Sequence, residues 1–177
     1  MGPMNVEIRR LSASDASASL GALAEVLVDC IDGGGSVSFM PPFGMPEAEE
    51  FFRKVIQGIE ADDRILLAAF VDSKLAGTVQ VLLSMPPNQP HRGEIAKLLV
   101  HRSARGRGLA AALMRRAEEC AKEAGKTLLV LDTSEGGPAE RLYMRLGWVK
   151  ACVIPKYALN PDGSWCDAVF FWKALSG

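Results

Sequence analysis

Long apolar runs are missing: no stretch approaches the ~20 residues that a bilayer-spanning helix needs. The N-terminal "MGPMNVEIRR" lacks the apolar core of a secretion signal, so a cytoplasmic location is expected. Histidine is scarce, with only His91 and His101. The four cysteines, Cys30, Cys120, Cys152 and Cys166, form no C-x-x-C pair and match no zinc or disulfide framework. No catalytic metal is therefore expected. Excess charge of one sign is absent as well. A formal net charge of -1 over 177 residues argues against a general binder of nucleic acid or membrane surfaces. Internal repeats, low-complexity tracts and a convincing linker are also lacking. What is present is 49% hydrophobic and 23% charged, which suits one globular domain over 1–177.

Periodicity divides the chain into short elements. "NVEIRRL" alternates as a first strand, and Ser14 or Asp15 is placed to cap a helix running to about Asp32. "GGGSVSFMPPFGM" reads as a Gly/Pro loop carrying Phe39, Met40 and Phe43, with Pro46 in the first turn of the next helix. "RILLAAFV" and "KLAGTVQVLLS" form a hairpin around "DSK", and "EIAKLLV" is a further strand. A helix from Gly108 to about Glu123 ends at Gly125. "TLLVLDT" follows as a buried-type strand, then a short helix in "PAERLYMRLG". "VKACVIPKYAL" and "CDAVFFWKAL" close the chain around "NPDG". The expected class is α+β, an α/β mixed sheet with a parallel strand pair flanking the Gly108 helix.

"VHRSARGRGLAAALM" raises the functional question. Arg102, Arg105 and Arg107 crowd into six residues, with Gly106 and Gly108 between them, directly before a helix. A strand, a glycine turn and a helix N-terminus make an anion site, because free N–H groups and the helix dipole point at the ligand. The bland reading is a strand–helix turn on a solvated basic surface. A Walker loop would end in G-K-[ST], whereas this turn ends in Gly108-Leu109-Ala110. Gly106-x-Gly108-x-x-Ala111 matches a dinucleotide fingerprint, with Asp132 near the place of a ribose-binding acid. That fingerprint follows the first strand of its unit through a tight turn, and here antiparallel strands and several polar residues precede it.

"RGRGLA" (Arg105 to Ala110) resembles the Q/R-x-x-G-x-G/A signature of the GNAT superfamily of N-acetyltransferases. "AERLYMRLGW" is similar to that superfamily's second motif. Over nearly its whole length the chain resembles the tabtoxin-resistance acetyltransferase group, through "GGSVSFM", "KLLVHRSARGRGL", "LLVLDT", "AERLY" and "PDG". The resemblance implies a GNAT-like fold and acetyl-CoA lying between two splayed parallel strands, "EIAKLLV" and "TLLVLDT". Leu98 and Val100 would pair with the pantetheine arm, and the Leu99 or Val100 amide would serve the oxyanion. Amides of Arg105, Gly106, Arg107, Gly108, Leu109 and Ala110 would cradle the pyrophosphate, with the arginines facing phosphates. Ser134, Gly136, Ala139 and Tyr143 complete the implied cofactor contacts. Gly136 stands where many members carry asparagine, so that side-chain contact passes to Thr133, Ser134 or a backbone amide.

The implied reaction is direct attack of a primary amine on the thioester. An alkyl ammonium has a pKa of ~10, so a base or a water chain must deprotonate it. Tyr143 is the implied acid for the departing thiolate; its bland alternative is a core tyrosine beside Leu142 and Leu146. Glu94 and Asp132 are the candidate base or ammonium-binding groups. Equally, Glu94 could be a solvated edge charge and Asp132 a cap on the "TSEGGPAE" turn. A small amino-acid-like or antibiotic-type amine is the implied acceptor, and a homodimer is compatible. An acyl-CoA-binding module without turnover stands as the alternative of a different class.

Overall fold

Every residue of "RILLAAFV" after the arginine is apolar, so this strand is stable only with both faces covered. The computed structural model, which describes residues 5–176, shows that arrangement. Strand β2 (Arg64–Val71) sends Ile65, Leu67, Ala69 and Val71 into one core and Leu66, Ala68 and Phe70 into another. Around it stand β1 (Val6–Leu11), β3 (Lys74–Leu82), β4 (Arg92–Val100), β5 (Leu128–Ser134), β6 (Val149–Leu159) and β7 (Trp165–Ala174). Together they make a seven-stranded sheet in the order β1-β2-β3-β4-β5-β7-β6. Only β4 and β5 run parallel among these neighbours. Among the described residues no helix is long and apolar enough to cross a membrane.

Helices cover the two faces separately. Helices α1 (Ala13–Ala18), α2 (Leu20–Asp32) and α3 (Met45–Glu60) bury Leu23, Leu27, Phe52 and Val55 against one face. Helix α4 (Leu109–Glu123) packs Leu113, Met114, Ala117 and Cys120 on the other, where α5 (Pro138–Arg145) adds Tyr143. Cys30 and Cys120 are buried free thiols.

The first helix departs from expectation at both its start and its middle. Ser12, not Ser14 or Asp15, is the N-cap: its hydroxyl accepts from the Asp15 amide at 3.0 Å, and Asp15 Oδ2 accepts from the Ser12 amide at 3.1 Å. Asp15 thus occupies the third helical position of a capping box. The segment then breaks at Ser19, between α1 and α2. Serine hydroxyls compete with the helical ladder, and "SASDASAS" has too few apolar anchors to suppress that competition.

Strand β4 decides the site. Its ladder to β3 shifts between Thr78 and Gln80: Leu99 lies opposite Thr78 but Ala96 opposite Gln80, so β4 bulges at Lys97 and Leu98. Lys97 takes the left-handed φ of 53° there. Toward β5 the pairing covers only Arg92–Leu128, Gly93–Leu129 and Glu94–Val130. Beyond Glu94 the two strands part, while β5 stays paired with β7 as far as Ser134. The gap between the parallel strands follows from that loss of register.

Candidate active site

Side-chain alternation sorts the candidate residues onto the two sides of the gap. Leu129 and Leu131 belong to the α4-side core, so Val130 and Asp132 project to the opposite face. Ile95 likewise lies on the α4 side, which turns Glu94 toward the face of Asp132. Tyr143 approaches from the α4 side, 5% exposed, with its ring 5.7 Å from Phe171 and 6.1 Å from Trp148. It is a core tyrosine in its packing, and its phenol also feels the Asp132 charge. Burial pushes the phenol pKa up, and the Asp132 carboxylate adds to that rise, so the hydroxyl keeps its proton.

The carboxylates differ in their surroundings. Glu94 Oε1 accepts from Arg92 Nη1 at 2.5 Å. Asp132 has no such partner among the described residues. Surrounding protein pushes its carboxyl up, the Lys97 ammonium pulls it down, and Glu94 raises it further. Lys97 was not singled out from the sequence. The available signal was a lone lysine inside an otherwise apolar stretch of β4.

The Arg/Gly turn is built from main chain. Gly106 and Gly108 take φ values of 75° and 76°, and a Cβ at either would meet nothing within 4 Å. The space above the turn is therefore open. Gly108 is the N-cap of α4, and the helical ladder there begins with Ala112 N donating to Gly108 O at 3.1 Å. That leaves the Leu109, Ala110 and Ala111 amides without helical acceptors, at the positive end of the dipole.

The arginine side chains do not converge on that space. Arg102 pairs with Asp29 of α2, its Nε donating to Oδ1 at 2.9 Å and its amide to Oδ2 at 2.8 Å. Arg105 Nε donates to Val100 O at 3.2 Å, and Arg107 Nη2 to Ser103 O at 3.2 Å. The expectation that the arginines face phosphates has no support from these contacts. Two guanidinium groups find carbonyls at the strand end and in the turn, and the third finds a carboxylate on α2. The groups of this turn left without a partner in the helical ladder are the amides of Leu109, Ala110 and Ala111.

Around β5 and α5 the implied contacts are partly engaged. His101 N donates to Ala76 O at 2.9 Å, so Val100, opposite Gly77, turns its main chain away from β3 and toward the gap. Its carbonyl accepts from Arg105. Leu98 packs on the α4-side core, and Leu99 is buried on the α2 side. Ser134 Oγ accepts from Cys166 Sγ at 3.2 Å. Gly136 N donates to Glu140 Oε2 at 2.6 Å, so this amide is held by α5. Ala139 lies one turn before Tyr143 and packs against the same core. These features fit an acyl-CoA: open amides at the head of α4, an unpaired strand edge at Val100, and Tyr143 beside the gap.

The Gly33–Gly44 loop bridges the gap on the Asp132 side. Ser38 Oγ accepts from Lys97 Nζ at 2.9 Å, and Ser36 Oγ donates to Leu159 O at 3.5 Å. Phe39 stacks against Phe43 at 4.6 Å and meets Phe51 of α3 edge-on at 5.2 Å. Between this loop and the β6–β7 turn lies a cleft of about 430 Å³, touched by Pro41, Phe43, Asn160 and Asp162. The aromatic loop is thus both a lid on the α2–α3 core and a wall of this cleft.

Comparison with known proteins agrees with this arrangement. An N-acetyltransferase from Staphylococcus aureus Mu50 superposes with a TM-score of 0.81 at 21% identity, over 97% of this chain and 99% of that one. The structure of yncA from Salmonella typhimurium, solved with its cofactor acetyl-CoA, gives a TM-score of 0.79 at 17% identity, over 97% and 94%. These establish the fold. In sequence, the N-alpha-acetyltransferase MAK3 of Arabidopsis thaliana is 35% identical over 99 residues, 55% of this chain and 51% of that protein. The chain thus spans about half the length of that curated relative. The model of the acetyltransferase (GNAT) family matches residues 36–148, from the loop before α3 through α5. The chain belongs to the acetyltransferase (GNAT) family.

Proposed function

We propose that this protein moves an acetyl group from acetyl-CoA to the primary amine of a small molecule. The observation that carries this reading is the parting of β4 and β5 after Glu94, with Asp132 on one face of the sheet and Tyr143 packed on the other. When bound, acetyl-CoA supplies the thioester carbon that the amine attacks. The amides at the head of α4 hold its diphosphate, and the Val100 main chain orients the arm. Asp132 receives the acceptor ammonium and assists loss of its proton, directly or through water. Tyr143, protonated at neutral pH, supplies a proton to the leaving sulfur.

The resemblance to the tabtoxin-resistance group favours an amino-acid-like or antibiotic-type amine. Similarity to an N-alpha-acetyltransferase favours the N-terminal amine of a peptide instead. The loop tied across the gap by Ser36 and Ser38 supports the more compact acceptor. Thioester consumption with a panel of small amines and short peptides tests the reading. Acetyl-CoA should stabilise the fold by ~2.7 kcal/mol at 100 times its dissociation constant and so raise the melting temperature, while NAD and ATP do not. Binding without consumption by any amine would indicate a non-catalytic acyl-CoA module, and equal stabilisation by NAD would overturn the cofactor assignment.

A further inference from the structure

Lys97 is placed at some conformational cost. A bulge holds it at φ 53°, a region that residues with a Cβ seldom adopt, and the strand turns its long side chain under the Gly33–Gly44 loop. Its ammonium stands 5.5 Å from the centre of the Phe39 ring and donates to Ser38 Oγ at 2.9 Å. An ammonium has three donors, and this one meets no carboxylate within ion-pair distance among the described residues. Burial lowers its basicity, while Asp132 raises it from across the gap. A cation and a carboxylate thus face the same opening, close enough to sense each other and too far apart to pair. A half-buried cation in that state is stabilised by an added anion.

We propose that Lys97 and Ser38 form a subsite for an anionic group on the acceptor, so that the substrates are amines carrying a carboxylate or similar acid, with the amine on Asp132 and the acid on Lys97. This rests on the acetyl-transfer reading above. One molecule with both charges satisfies both walls of the opening, whereas a simple alkylamine leaves the ammonium of Lys97 facing its own. A lysine serving only to tether the loop would need no charge beyond its bond to Ser38. It would affect every acceptor alike.

The test compares α-amino acids with their methyl esters and with the corresponding decarboxylated amines, following release of the coenzyme A thiol. In the wild-type protein kcat/KM should favour the free acid by at least about tenfold. Lys97→Asn removes the charge and tolerates the left-handed backbone; it should lower kcat/KM for the acid roughly tenfold to hundredfold and leave the ester within about twofold. Lys97→Arg should keep much of the preference. The acetyl-CoA melting shift of each variant shows that the fold and cofactor site persist. Equal use of acids, esters and decarboxylated amines by the wild type, or an equal loss for all of them in Lys97→Asn, would overturn the subsite while leaving acetyl transfer intact. Failure to acetylate any amine would overturn the transferase reading itself, and the subsite with it.

Discussion

Arg92 Nη1 donates to Glu94 Oε1 at 2.5 Å, whereas Asp132, on the same face of the sheet, has no such partner among the described residues. The two carboxylates at the gap therefore differ in what they can offer an ammonium. Glu94 is already neutralised by its neighbour two residues back. Asp132 → Asn should raise the acceptor Michaelis constant roughly tenfold to hundredfold, the value of one charge-assisted hydrogen bond. Glu94→Gln should stay within about threefold, as for a partly exposed pair. Steady-state kinetics across pH decide the matter: a neutral-pH loss in Glu94→Gln that recovers at high pH would assign the base to Glu94.

Gly108 combines a left-handed backbone with open space at the head of α4. Gly108→Val should abolish the melting shift given by acetyl-CoA. Part of the effect is strain, about 1–2 kcal/mol for a side chain at positive φ. Gly125→Val supplies the control, because Gly125 has φ 79° and equally open surroundings at the other end of the helix. That variant should lose similar stability and keep the shift. Loss of the shift in both would mean that strain alone is responsible.

Tyr143→Phe keeps the ring between Phe171 and Trp148, so the melting temperature should change little. If the phenol supplies the proton, turnover should fall by ~10²–10⁴ with acetyl-CoA affinity nearly intact. The phenol is raised above its ordinary 10.0, so its contribution to stability is complete below that pH and is lost only as pH rises through the higher folded value. No alkaline fall in turnover below about pH 10 should therefore trace to Tyr143. A large loss of affinity with unchanged turnover would make the hydroxyl an anchor for the cofactor.

Glu140 joins the loop, α5 and β6: Lys150 Nζ donates to Oε1 at 2.9 Å and the Gly136 amide to Oε2 at 2.6 Å. The Lys150 hydrogen bond, then the amide, hold this carboxyl below its ordinary 4.5. A depressed folded value stabilises above the ordinary pKa and is lost as pH falls through the lower one. Glu140→Gln should thus melt lower than wild type at neutral pH, with the difference fading as pH falls below the ordinary 4.5. A difference that stays constant across that range would show that the charge contributes nothing.

Several features of the site were legible because they depend on a few consecutive residues. Alternation and turn residues located β6 at Val149–Leu159 and the helix after Gly108, and the Gly-x-Gly spacing marked the turn that requires positive φ. "PAERLYMRLG" placed Tyr143 on a short helix, since Pro138 suits a helix start and Gly147 a helix end. Other features depend on residues far apart in the chain. Arg102 finds Asp29 across 73 positions, so its charge is already paired. Gly136 gives its amide to Glu140, and Lys97 reaches Ser38 across 59 positions. The parting of β4 and β5 after Glu94 is likewise a matter of register between strands separated by a helix. The sequence by itself determined the elements and the chemistry of the glycine turn, because backbone preference and hydrophobic period act locally. Only the tertiary structure decided which charges are already paired and which face the gap, because closing the two cores around the sheet selects the register, and the register selects every long-range partner.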